Sequence, residues 1–142
     1  MIPDFKDIDI RELIPQKEPF ILVDELVSWN EAETRTRYTV PENGIMVSDG
    51  RLRAAGLVEV MAQTSAVRIG FIHKYILRLP VSMGYIGAVR RLTVNREARV
   101  GETIDATLRV VAEAGALTRI GVLLSARNEV LAWGELTVVL QQ

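Results

Sequence analysis

The residue with the clearest potential for chemistry is Glu59, a lone carboxylate within an otherwise apolar stretch from Arg53 to Ile76. The hydrophobic residues of this stretch recur at helical spacing. Gln63 follows four residues later, so a helix places the amide and the acid on one face. A carboxylate held away from water binds hydrogen-bond donors or has its pKa raised. Glu59 is therefore a candidate acid or base. The alternative is a structural carboxylate paired with the helix dipole, Arg51 or Arg53.

The helix that carries Glu59 is predicted to be buried on both sides. One face holds larger side chains: Leu57, Val60, Met61, Thr64, Val67 and Phe71. Around Glu59 and Gln63, the opposite face holds small residues: Ala55, Gly56, Ala62, Ala66 and Gly70. A helix without a solvated face packs inside a core, and small residues let another backbone approach closely.

Strands are predicted on either side of this helix in the chain. Two precede it, at 20–29 and 33–40, and the loop at 41–50 then offers Ser48 or Asp49 as the helix N-cap. Four β-rich runs follow the helix, at 81–94, 103–113, 117–127 and 130–140, with turn residues between them. One sheet covers both faces of a helix only if it curls around it, so we predict an α+β fold of that kind. The strand from Val81 and the segment 137–140 are predicted edges.

Composition narrows the possible functions. The 142 residues suit a single domain over 1–142, and a net charge of -1 gives no reason to expect nucleic acid or membrane binding. Without cysteine there are no disulfides or thiolate sites, and with one histidine we expect no metal and no cofactor. The acidic start MIPDFKDIDI is unlike a signal peptide, so we expect a cytoplasmic protein.

Three stretches together resemble one protein family. They are LIPQKEPFILVDEL at Leu13–Leu26, GLVEVMAQ at Gly56–Gln63, and MGYIGAVRRLTVNREARVGETI at Met83–Ile104. They are similar to the hot-dog-fold 3-hydroxyacyl-[acyl-carrier-protein] dehydratases, with Gln16 where that family usually has a histidine. The stretch SDGRLRAAGLVE resembles the diverged dehydratase-like subunits of aryl-polyene-type pathways better still. The resemblance implies a hot-dog fold, one long helix wrapped by a mainly antiparallel sheet.

The resemblance also implies roles for particular residues. Glu59 would be the catalytic acid/base, and Gln63 would support it by hydrogen bonding. The thioester substrate would meet the helix start and the preceding loop, at Ala54, Ala55, Gly56, Ile45 and Met46. Backbone N–H groups at 54–56 would polarise its carbonyl. Arginines that could dock an acidic carrier protein or its phosphate are Arg51, Arg53, Arg90 and Arg91, with Arg96 and Arg99 as further candidates.

The chain departs from the dehydratases at their second catalytic group. Those enzymes carry a histidine in a loop fourteen residues before the helix glutamate, and Ile45 stands at that position here. The only histidine, His73, lies about 21 Å along the helix from Glu59 at 1.5 Å per residue, too far for contact within one chain. Loss of an acid/base partner typically costs about 10²- to 10⁴-fold in rate.

Three functions therefore stay open. The first is a dehydratase of fatty acid or polyketide biosynthesis that acts alone or with a partner subunit. The second is a catalytically silent acyl-binding subunit, and the third is a hot-dog acyl thioesterase. The implied partners are an acyl carrier protein or acyl-CoA thioester and at least one further subunit, either a second copy or a second hot-dog protein that could supply the missing histidine.

Overall fold

The computed structural model describes residues 2–141, and within them one long helix packs against a large antiparallel sheet. The helix, α1, spans Ala54–Phe71 and continues into a π-helical turn at Ile72–Ile76. The strands in chain order are β1 Glu25–Trp29, β2 Glu33–Thr39, β3 Val47–Ser48, β4 Arg51–Leu52, β5 Gly84–Val94, β6 Ala98–Arg99, β7 Thr103–Ala114, β8 Leu117–Ala126 and β9 Glu129–Leu140. Two short 3-10 turns, Phe5–Asp7 and Ile10–Glu12, precede them.

The large sheet has six strands in the order β1-β2-β7-β8-β9-β5, with antiparallel neighbours throughout. A small second sheet joins β3, β4 and β6 beside the start of α1. Strand β5 is an edge, as predicted for the strand after Val81. The segment 137–140 was wrongly predicted as an edge, because it belongs to β9 and pairs with both β8 and β5. Two β-bulges interrupt β5, and Arg91 has a positive φ of 54° at the second.

The helix is buried on its larger-residue face, as predicted. Leu57, Val60 and Met61 pack into a core formed with the inner side of the sheet, and Val67 and Phe71 pack into a second cluster with the N-terminal segment. The predicted close approach of another backbone occurs at Gly70. A Cβ there would lie 2.0 Å from the carbonyl oxygen of Leu13, so only glycine fits. The sheet and the N-terminal segment thus cover the helix from two sides.

Two local predictions were wrong. The first strand begins at Glu25, not at residue 20, because Leu22 donates its N–H to the helix residue Gln63 instead of to a strand. Neither Ser48 nor Asp49 caps the helix, since the N-cap residue is Arg53 and has no capping side chain. Glu97 supplies the cap from outside the helix, and its Oε2 accepts the N–H of Ala54 at 2.7 Å.

Arg68 ties the helix to the β1–β2 hairpin. Its guanidinium donates to the carbonyls of Asn30 and Glu31, at 3.0 and 2.6 Å, and to the hydroxyl of Thr34 at 2.8 Å. Burial lowers the pKa of Arg68 below its ordinary value. This side chain therefore holds one end of the sheet to the last turn of α1. By length and composition alone the stretch Ala54–Ile76 could cross a membrane, but 61% of the 18-residue window that meets this test is buried inside the fold.

Candidate active site

The carboxylate of Glu59 is half-buried and is held by Gln63 one helical turn later. Gln63 Nε2 donates to Glu59 Oε2 at 3.2 Å and to the carbonyl of Phe20 at 2.7 Å. Gln63 Oε1 accepts the N–H of Leu22 at 2.7 Å. Both amide hydrogens are thus engaged, and the bond from Leu22 orients the amide with its NH₂ group toward the acid. Gln63 therefore positions the side chain of Glu59.

Glu59 lines a cavity of about 260 Å³ between the helix, the N-terminal segment and the start of β5. Its other lining residues are Pro15, Gln16, Ala62, Ser65, Ala66, Ile69, Ser82, Met83, Gly84, Tyr85 and Ile86. Gln16 Oε1 is buried and has no hydrogen-bond partner within residues 2–141. Buried polar atoms are normally paired, so this oxygen is available to a ligand. Sequence reasoning noted Gln16 only as a replaced histidine and did not assign it to the site.

The cavity lies at the free edge of the sheet. Strand β5, which forms one wall, pairs with β9 on one side only. Large apolar side chains along this strand are exposed: Met83, Tyr85, Ile86, Val89, Leu92 and Val94. An exposed apolar patch of this extent on an edge strand is typical of a protein interface. A partner that covered β5 would also close the cavity beside Glu59.

Other predicted substrate contacts do not meet Glu59 within one chain. Ile45 is exposed and Met46 packs near Gly56, and neither lines the cavity. Two of the predicted carbonyl-polarising amides already have partners, because Ala54 N–H donates to Glu97 and Gly56 N–H donates to the carbonyl of Arg53 at 2.8 Å. Those amides polarise a carbonyl only if these bonds are exchanged. For Ala55 the role remains a prediction.

The predicted docking arginines divide into two groups. Arg51 and Arg53 flank Glu97, with N···O distances of 3.7 and 3.6 Å. The alternative in which one of them pairs with Glu59 is therefore wrong. Arg90 and Arg91 lie exposed on β5, and Arg91 is 3.9 Å from Glu135.

The candidate Arg96 is a structural residue. It forms two bonds with the buried carboxylate of Glu102, at 2.8 and 2.9 Å, and also binds Glu129. These bonds hold the pKa of Glu102 down at about 2. A guanidinium committed to two carboxylates is not free to dock a carrier protein. Arg99, whose backbone N–H donates to Glu102 at 2.7 Å, keeps an exposed side chain.

Chemically, the cavity offers one carboxylate, one amide, the hydroxyls of Ser65, Ser82 and Tyr85, and no imidazole within residues 2–141. His73 lines a different cavity farther along the helix. In the same part of the chain, no cluster of three or more His, Asp or Glu side chains could hold a metal ion. One carboxylate can give or accept one proton, whereas a water elimination needs a base and an acid. The arrangement is half of such a site.

Comparisons with known proteins give both a family and a fold. A family model described as ApeP-like, ApeP dehydratase, matches residues 8–142. Among solved structures, the chain is similar to the dehydratase heterocomplex ApeI:P from Xenorhabdus doucetiae, with a TM-score of 0.86 and 18% identity over 95% of this chain and 92% of that one. No curated protein sequence matches significantly.

Two further solved structures are similar at lower scores. The PaaI protein of the phenylacetic acid degradation operon of E. coli has a TM-score of 0.64 and 13% identity, over 80% of each chain. A hypothetical thioesterase with coenzyme A from Streptococcus pneumoniae has a TM-score of 0.67 and 9% identity, over 82% of this chain and 84% of that one. At these identities the structural matches establish the fold, and the predicted hot-dog fold is confirmed.

Proposed function

The chain belongs to the ApeP-like dehydratase family, and we propose that it takes part in removing water from a 3-hydroxyacyl thioester held by an acyl carrier protein. In this reaction a base takes a proton from Cα, the Cα–Cβ double bond forms, and the 3-hydroxyl leaves as water after an acid has protonated it. Glu59 is the acid in this proposal. The base comes from a second subunit.

The observation that carries the proposal is the position of Glu59. The acid is held by a fully bonded Gln63 and lines a cavity that has the edge strand β5 as one wall. A half-buried carboxylate that is fixed in this way is prepared for proton transfer, because its orientation does not have to be found during the reaction. The buried oxygen of Gln16 gives the same cavity a second contact for the polar part of a thioester.

A second hot-dog subunit fits the open side of the site. Its edge strand would pair with β5, cover the exposed apolar side chains and bring its own residues to the cavity. The similar protein from Xenorhabdus doucetiae is a dehydratase heterocomplex, which supports a heteromer over two copies of this chain. The missing histidine would then come from the partner. Arg90 and Arg91, on the same strand, and Arg51 and Arg53 at the helix start are proposed carrier-protein contacts.

The single hot-dog domain over residues 1–142 and the cytoplasmic location remain predictions. The single domain is consistent with a hydrophobic cluster whose members extend from Leu22 to Val138.

The test is a dehydration assay with a 3-hydroxyacyl carrier-protein substrate, with the chain alone and with its partner subunit. We expect turnover only when both are present. Glu59→Gln should reduce turnover by about 10²- to 10⁴-fold, because it removes the acid and keeps the shape. The matched control is Glu42→Gln, which changes an exposed carboxylate in the loop before the helix. Equal turnover by wild type and Glu59→Gln would contradict the proposal.

A specific observation favours a second function, thioester hydrolysis. The cavity contains one carboxylate and no imidazole in the described part of the chain, and activation of a water requires only one base. Release of free thiol from acyl-CoA by the chain alone, lost in Glu59→Gln, would favour hydrolysis. If neither dehydration nor thiol release is detected, with or without the partner, the chain is a silent acyl-binding subunit.

A further inference from the structure

A second cavity lies farther along α1 and is partly open at the surface, where Leu77 and Glu113 are exposed. It has a volume of about 210 Å³ and lies between the second half of α1, the π-helical turn and the inner faces of β7, β8 and β9. Its apolar lining residues are Ile69, Ile72, Leu77, Leu108, Ile120, Val138 and Leu140, and its polar ones are Ser65, Arg68, His73, Glu113 and Thr118. A dry cavity of about 150 Å³ already accepts a benzene molecule. We call this space the His73 chamber.

The His73 chamber adjoins the Glu59 cavity. Ser65 and Ile69 line both spaces and therefore form the wall between them. Ile69 is only partly buried, and Ser65 Oγ bonds to the carbonyl of Ala62 at 2.6 Å, back along its own helix. An acyl group that extends from Glu59 along α1 therefore meets the Ile69 side chain at the boundary of the chamber. A ligand whose reacting end lies at Glu59 can thus extend into the chamber.

One atom in the chamber lacks a partner. His73 Nδ1 is buried and makes no hydrogen bond within residues 2–141. His73 stands on a π-helical turn, a rare distortion that often occurs at functional sites. The two charged side chains that line the chamber, Arg68 and Glu113, differ in their contacts. Arg68 uses both terminal nitrogens on the hairpin, whereas Glu113 faces the chamber from the end of β7. An unpaired buried nitrogen is costly, so a ligand group that meets it is favoured.

From these observations we infer that the chamber recognises the far end of the acyl group, and that this end carries a hydroxyl that binds His73. The inference rests on the proposed function, because the reacting end is assigned to Glu59. A hydroxyl both donates and accepts, so it satisfies either neutral form of the imidazole. A methyl end leaves Nδ1 unpaired, and a carboxylate end meets the like charge of Glu113. His73 is therefore a specificity-determining residue.

The length of the helix sets the length of the ligand. Fourteen residues separate Glu59 from His73, which corresponds to about 21 Å of helix. A fully extended acyl chain advances about 1.25 Å per bond along its axis, so it needs on the order of 17 bonds to span this distance. The effect of a terminal hydroxyl should therefore depend on chain length, appearing for long acyl groups and not for short ones.

The test measures binding of unreactive probes to the full chain. The probes are pantetheine amides of hexadecanoic acid and omega-hydroxyhexadecanoic acid, with the octanoic and omega-hydroxyoctanoic pair as the length control. The amide replaces the thioester, so neither dehydration nor hydrolysis interferes. We expect the long hydroxylated probe to bind about tenfold more tightly than the long methyl-ended one, and the short pair to bind equally. His73→Phe and, separately, His73→Gln test the assignment: the first removes the preference, and the second retains part of it.

The chain has a single histidine, so histidine-selective isotope labelling gives one imidazole signal, provided that any purification tag is removed. The long hydroxylated probe should shift this signal, and the long methyl-ended probe should leave it nearly unchanged. Equal affinities for the two long probes, or an unmoved signal at saturation, would overturn the inference. This result is independent of the dehydration assay, which uses substrates without a terminal hydroxyl. Turnover without a hydroxyl preference disproves the chamber's role alone, and a preference without turnover disproves the proposed reaction.

Discussion

The two cavities along α1 differ in the strands that form their walls. The Glu59 cavity is walled by an edge strand and is open where β5 has no neighbour. The His73 chamber is walled by the interior of the sheet and by a helix, all from one chain. Glu59 therefore lies beside the free edge of the sheet, where a partner strand can pair, whereas His73 lies beside β7, β8 and β9, which already have neighbours on both sides.

We therefore expect substitutions on β5 to affect binding of the partner, and substitutions in the chamber to affect the choice of ligand. Changes along the edge of β5 should act on the reaction through the partner and leave the chamber intact. Changes inside the chamber should alter ligand preference or stability and leave the edge intact.

The largest effect is expected for Val89→Asp combined with Leu92→Asp. Both side chains are exposed on β5, and neither lines the Glu59 cavity. Two aspartates would bury unpaired charges when the partner binds. Turnover should fall by about 10²- to 10⁴-fold because the partner's base is lost. Light scattering should show no complex, while the chain still binds the long hydroxylated probe. Val111→Asp, on an exposed residue of β7, is the control. Normal turnover by the double variant would contradict the requirement for a partner at the β5 edge.

The second largest effect is expected for Arg68→Met. Three oxygen acceptors of the β1–β2 hairpin lose their donor, and the free energy of unfolding should fall by about 3 kcal/mol. Urea denaturation measures this loss. Arg109→Met is the matched control, because its guanidinium is exposed and pairs only with Glu33 at 2.8 Å, so a change under about 1 kcal/mol is expected. Equal stabilities of the two variants would mean that the hairpin does not depend on Arg68.

A third effect is a loss of folding stability at low pH, and it arises outside both cavities. Arg96 lowers the pKa of Glu102 from 4.5 to about 2, so the folded state holds this carboxylate charged. The stabilisation is complete above pH 4.5 and is lost as the pH falls toward 2, since the unfolded chain takes up the proton first. It should amount to on the order of 2–3 kcal/mol. Unfolding curves of Glu102→Gln should lack this part of the pH dependence. An unchanged acid profile in that variant would assign the loss to other groups.

The smallest effect distinguishes Gln63, which positions Glu59, from Gln16, which lines the Glu59 cavity. Gln63→Leu leaves the N–H of Leu22 buried without an acceptor, and the free energy of unfolding should fall by about 1.5 kcal/mol. Hydrogen exchange at the Leu22 amide should become faster. Gln16→Leu removes an oxygen that has no partner within residues 2–141, so stability should stay within about 0.5 kcal/mol while substrate binding weakens. The reverse order of stabilities would exchange the roles of the two residues.

The sequence predicted the features that depend on nearby residues. The spacing of Glu59 and Gln63 was sufficient to place them together, and β-rich runs with turn residues between them located the strands after the helix. Arg68 was missed, although its position on the apolar face beside Thr64 was a usable signal. A buried arginine on such a face needs acceptors from another element.

Features that depend on distant contacts could not be predicted. The bond from Leu22 to Gln63 joins residues 41 positions apart and ends the expected strand early. Gln16 and Ser82 meet Glu59 only because the N-terminal segment and β5 fold against the same helix face. The sequence also placed Ser48 and Asp49 next to the helix start, where local preference favours them as caps, but a tertiary contact won.

That contact has a consequence for how the chain is made. Glu97, which caps the first turn of α1, lies 43 residues after the amide that it binds. At about 5–20 residues per second, the ribosome adds these residues roughly 2 to 9 s after Ala54. During that interval the nascent helix begins without its cap, whereas a local serine or aspartate cap would have been present from the start. The order of translation therefore delays the completion of the helix until β5 and the residues up to Glu97 have been synthesised.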